Sequence, residues 1–146
     1  MLTLHDPAHR SALESRVRAL RPDSPRRWGK MSADQMLWHV NAGLAVAVGE
    51  LTAPVERPPL PRPVMKFLIL NLPWPKGAPT SPAFRAEASY DFQAERIRCL
   101  RLIGTLAGQS LDRLQHVHPI LGRMSGTDVS RLQAKHLDHH LKQFGV

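Results

Sequence analysis

Nine of the thirteen prolines lie between Pro54 and Pro82. Each proline inside a helix would cost about 3 kcal/mol, and none can donate to a central strand. The segment is therefore a long connection and not one regular element. Its middle, Val64 to Leu72, is apolar, and Pro73-Trp74-Pro75-Lys76-Gly77 follows. Neither flank is long enough for a domain of its own, so residues 1–146 read as a single domain. The apolar middle reads as a short helix packed on it.

On both sides of this segment the hydrophobic spacing is helical. Asp6-Pro7 is a cap followed by proline at the first helical position, and Leu13, Val17 and Leu20 then repeat at i, i+4, i+7. That first helix ends near Arg21-Pro22. A second starts at Ser32, with Gln35 completing a capping box and Met31 and Met36 placed as a hydrophobic staple. Its stripe is Met36, Val40, Gly43, Leu44 and Ala47, fading at Gly49. A third, capped by Asp91, runs from Phe92 to about Ala107, with Ile97, Leu100, Gly104 and Ala107 on one side and Phe92, Cys99, Ile103 and Leu106 beside them. Met124-Ser125 repeats the start signal, and a fourth helix runs to about Phe144, where Gly145 ends it. No alternating strand pattern competes. The expected fold is an all-α four-helix bundle with a long proline-rich crossover between its second and third helices, those two running the same way.

Composition narrows the chemistry. With 42% hydrophobic and 22% charged residues, the chain is that of an ordinary globular protein. The formal charge is +8, yet the arginines are scattered and no nucleic-acid reading module is present, so no nucleic-acid partner is expected. No apolar run reaches the roughly 18 residues of a membrane span, and Met1 to Arg10 has no signal-peptide core. A cytoplasmic protein without a membrane partner is expected. Eight histidines stand against one cysteine, Cys99. A disulfide framework, a cysteine-rich zinc finger and an iron-sulfur cage are excluded. Any metal must be held by histidine and carboxylate, and Cys99 reads as a small buried hydrophobe.

On the fourth helix, Val129, Leu132, Leu137, Leu141 and Phe144 define the apolar arc. His136 and His140 fall inside it, one above the other at i, i+4. His139 lies near its edge and would replace His140 if the helix were rotated. On the second helix, His39 sits beside Met36, Val40 and Gly43. His39 lies seven residues after Ser32 and His136 eleven after Ser125, so their angular positions are equivalent and their depths differ by about one turn. Facing helices would bring three imidazoles together. Such a set binds Zn, Ni, Fe or Cu and leaves positions open for water or substrate. The bland alternatives are a hydrogen-bonded packing histidine at 39 and a set of solvated histidines elsewhere.

The segments Trp28-Gly29-Lys30-Met31-Ser32 with Gln35-Met36-Leu37 and His39, His118-Pro119 with Gly122 and Met124-Ser125, and His136-Leu137 with His139-His140 and Gln143-Phe144-Gly145 resemble a bacterial subfamily of the DinB/YfiT-like superfamily. The likeness spans about Leu13 to Gly145 and is least specific in the proline-rich middle. It implies a four-helix bundle in up-down-down-up order, a homodimer, and a divalent transition metal on the positions that match His39, His136 and His140. Some superfamily members are transferases and isomerases that use low-molecular-weight thiols.

A small-molecule substrate, and a thiol as co-substrate, follow as expectations from that likeness. A metal on the three histidines would lower the pKa of a thiol or water in its open position. Arg26, Arg27 and Arg123 flank the starts of the second and fourth helices and are placed to hold carboxylates of an acidic thiol. His118 is a candidate general base or hydrogen-bond partner, with a turn residue as its plainer role. Gln143, on the ligand side of the fourth helix, is placed to orient an imidazole. The alternatives are a non-catalytic bundle that binds a metal or small molecule and a basic nucleic-acid-binding stress protein.

Overall fold

The Asp6 carboxylate accepts from the amides of Ala8 and His9, opening α1 (Pro7–Ala19). The Ser32 capping box opens α2 (Ala33–Val48), with Gln35 Oε1 accepting from Ser32 N at 3.0 Å. Gly49, at φ +84°, closes it in the left-handed conformation that glycine adopts freely. Asp91 caps α4 (Phe92–Gly108), and Ser125 Oγ accepts from Asp128 N to cap α5 (Gly126–Gln143). In the proline-rich crossover, Arg62–Asn71 forms the short helix α3, and a 3₁₀ turn follows at Pro82–Phe84. The structure is a computed structural model and describes residues 1–114 and 116–146.

Each of α1 and α2 packs on both α4 and α5, and α3 lies against α5. The core joins Leu13, Val17 and Leu20 of α1 and its exit, Met36, Leu37, Val40 and Leu44 of α2, Cys99, Leu102, Ile103 and Leu106 of α4, and Val129, Leu132, Leu137, Leu141 and Phe144 of α5 and its end. Each such side chain contributes about 1.5–3 kcal/mol on burial. On α4 the buried face is the Phe92, Cys99, Ile103 and Leu106 side, with Leu102 added; Ile97 is 67% exposed. Leu100 packs against the core only in part, and Ile97 and Gly104 are exposed, so the first of the two expected α4 stripes is not the core stripe.

The connection after α4 also departs from expectation. His116–His118 (β1) and Gly122–Met124 (β2) pair antiparallel, with Val117 opposite Arg123. Three residues per strand are too few to leave an alternation in the sequence, and His118 supplies the turn instead. Its Nδ1 accepts from the amides of Ile120 and Leu121 at 3.1 and 3.2 Å. The crossover is fastened at both ends of α3. Lys135 and Arg131 of α5 donate to the carbonyls of Ile69, Leu70 and Leu72, placing positive charge at the negative end of that helix, and Glu56 N donates to Pro119 O in the hairpin.

Among the described residues, no helix is long and apolar enough to cross a membrane.

Candidate metal centre

Leu137 and Leu141 are anchored in the core, each about 1% exposed. His136 and His140, the residue before each, are thereby rotated about 100° towards α2. There Met36, Leu37 and Val40 are likewise buried, and His39 among them is only 7% exposed. The three imidazoles form a nearly equilateral triangle with ring centroids 4.8, 4.8 and 4.9 Å apart. Their ligand nitrogens all lie within 4.8 Å of one another, and Nε2 of His39 and His136 are 2.8 Å apart. Two ligands on one ion at about 2.0–2.1 Å bonds stand roughly 3 Å apart.

The outward nitrogens decide what the inward ones can do. His39 Nδ1 lies 2.7 Å from the Phe84 carbonyl, which only accepts, so the ring proton is on Nδ1 and Nε2 carries a lone pair. For His140, Nδ1 donates to Gln143 Oε1 at 2.7 Å. The orientation of that amide is set from the far side, because Gln143 Nε2 donates to Trp28 O at 2.8 Å. Gly29, at φ +79°, makes the arrangement possible: a Cβ there would lie 2.5 Å from Gln143 Nε2. Arg27 N donates to Gln143 O as well. Trp28-Gly29 and Gln143-Phe144-Gly145 are thus two halves of one structural joint beneath His140.

Burial holds the cluster neutral. It lowers His39, takes His136 well below its ordinary value, and brings His140 down to about 3, with the neighbouring imidazoles adding repulsion in each case. A neutral imidazole is the form that ligates a metal, so no net loss of a proton is needed at neutral pH. The donor set therefore fits a divalent transition ion, all three ligands being neutral, borderline nitrogen donors. Among the described residues, no carboxylate completes it. Asp138, the acid nearest in sequence, is engaged by Arg16 and Lys142.

The other expected residues fall in different places. His139 lies beside the cluster, its ring 5.7 Å from Trp28, 5.5 Å from Trp74 and 5.1 Å from His140. His118 closes the hairpin turn, and burial brings it to about 4. Arg26 Nε donates to Gly29 O on the surface, Arg27 lies along Gly145, and Arg123 is exposed on β2. Cys99 is fully buried and its thiol is pushed up to about 12. That state is inert.

Two contributors escape the sequence pattern, and both come from the crossover. Phe84 offers only a backbone carbonyl, which any residue has. Trp74 packs 5.7 Å from His136, its indole donating to Ile69 O at 2.8 Å. The one available signal is a tryptophan between two prolines, a rigid placement for a large ring. With Trp28 and His139, Trp74 forms an aromatic rim, and Lys76 and Lys135 stand 4.9 and 5.5 Å over the two indoles.

Neither a curated protein nor a solved structure matches the chain. Over residues 4–145 it matches the family described as Protein of unknown function (DUF1569), and the chain belongs to that family.

Proposed function

We propose that His39, His136 and His140 hold a divalent transition metal, Zn, Ni or Fe, and that the protein is a metal-dependent transferase or hydrolase of the DinB/YfiT-like kind. The observation that carries this is the pair of outward hydrogen bonds, to Phe84 O and Gln143 Oε1, that turn two lone pairs towards a third imidazole. Such partners orient ligand histidines and raise their basicity. When bound, the ion lowers the pKa of a thiol or water at its open position. Three neutral ligands leave the ion's charge uncompensated, which favours an anion as the remaining ligand, and the ammonium groups of Lys76 and Lys135 add to that field.

Trp28, Trp74 and His139 give the substrate an apolar rim that limits water. His39 stays fixed through Phe84, and His140 through Gln143, so neither has to reorganise as charge develops nearby. In the same proposal the helices follow the up-down-down-up order, supported by the long crossover between α2 and α4. The protein works as a cytoplasmic homodimer on a small-molecule substrate with a low-molecular-weight thiol.

The test is addition of glutathione to cobalt-loaded protein. A thiolate charge-transfer absorption is expected; a cobalt spectrum indifferent to thiol and to azide alike indicates a closed, non-catalytic centre.

A further inference from the structure

Two of the three imidazoles have an acceptor on the nitrogen turned away from the cluster. Among the described residues His136 has none, and beside it is a buried acceptor without a donor. Gln133 is 4% exposed, and among the described residues its Oε1 has no hydrogen-bond partner. Gln133 stands three residues before His136 on α5, the same spacing that joins His140 to Gln143. Both atoms face one point on α2. A Cβ built on Gly43 would lie 3.4 Å from Gln133 Oε1 and 3.4 Å from His136 Nδ1.

Proton placement explains the orphan. The His39 proton is committed to Phe84 on Nδ1, so the 2.8 Å contact between the two Nε2 atoms requires the His136 proton on Nε2. His136 Nδ1 is then bare, and Gln133 Oε1 has nothing to accept. We infer that Gln133 is the positioning residue of His136: with a divalent cation on His136 Nε2, the ring proton sits on Nδ1 and is donated to Gln133 Oε1. The exchange is balanced within one ring, since a proton leaves Nε2, a proton is taken up at Nδ1, and the imidazole stays neutral. Each of the three ligands then has one outward acceptor: Phe84 O, Gln133 Oε1 and Gln143 Oε1. The inference rests on the metal centre proposed above and adds a residue to it.

The experiment uses the whole chain with zinc as probe, reading affinity by competition with a chelator and ring protonation by ¹⁵N NMR. In the wild type, His136 is expected as the Nε2–H tautomer without zinc and the Nδ1–H tautomer with it, the latter proton exchanging slowly. Gln133→Leu should weaken zinc about 10- to 100-fold, and Gln133→Glu, which retains the acceptor, should restore most of that loss. Unchanged affinity in Gln133→Leu, or a zinc-loaded His136 whose Nδ1 proton exchanges freely in the wild type, overturns the role of Gln133 alone. A wild type that takes up no zinc overturns the metal centre and this role together. The tautomer measurement needs no variant, so a Gln133→Leu chain that fails to fold does not remove the test.

Discussion

The Nδ1 proton of His39, on α2, is donated to the backbone carbonyl of Phe84, forty-five residues further along, at 2.7 Å. The proline-rich crossover is thereby a working part of the site: its 3₁₀ turn fixes one imidazole, and its Trp74 lies against another. Replacing residues 81–84 with four glycines is expected to weaken divalent-metal binding about 10- to 100-fold while the far-ultraviolet helical signal is kept. Unaltered affinity would show that the carbonyl does not orient His39.

Gln143 joins α5 to the loop before α2, so its loss should register twice. Gln143→Leu leaves the Trp28 carbonyl and His140 Nδ1 without their partner, and stability should fall by about 1–3 kcal/mol, with metal affinity falling as well. Gly29→Ala attacks the same joint from the other side, through both the positive φ and the close approach to Gln143 Nε2. A loss of about 1–3 kcal/mol is expected. Denaturant midpoints of both variants check this.

Acid should destabilise the metal-free protein in a defined window. In the unfolded chain these histidines titrate near 6.5, while in the folded protein His118 titrates at about 4 and His140 at about 3. Between those limits the unfolded state binds more protons, so stability falls as pH falls. The denaturation midpoint should be nearly flat from pH 8 to 7 and drop steadily below about 6.5. His140→Ala should flatten part of the slope. A midpoint that rises on acidification would contradict the neutral cluster.

Trp74 lies 5.7 Å from the His136 ring, and Trp28 touches His139. A copper or cobalt ion in the cluster should therefore quench much of the tryptophan fluorescence at one equivalent. The signal should change less in Trp74→Phe, and His39→Ala should require far more metal to reach it.

What can be read from the residues alone depends on whether a side chain or the backbone does the work. His39, His136 and His140 are legible because two serine caps set the helix register and the i, i+4 spacing stacks two rings; the structure brings these three together. Gln143 is legible for the same reason, since it lies one turn beyond His140. Phe84 is not, because a carbonyl carries no identity, and neither is Gln133, whose place beside His136 shows only once α5 is packed against Gly43 of α2. The β1–β2 hairpin is hidden because its strands are three residues long and its turn is closed by a histidine side chain. Ile97 misleads because α4 carries apolar residues around more than half its circumference while only one arc meets α1 and α2.

The most direct measurement is elemental analysis of the protein purified without a histidine tag, beside His39→Ala and His136→Ala. One equivalent of a transition metal is predicted in the wild type, absent from both variants while they remain folded. No metal in the wild type at any loading with zinc, nickel or iron, and no change in its thermal midpoint on adding them, would contradict the account.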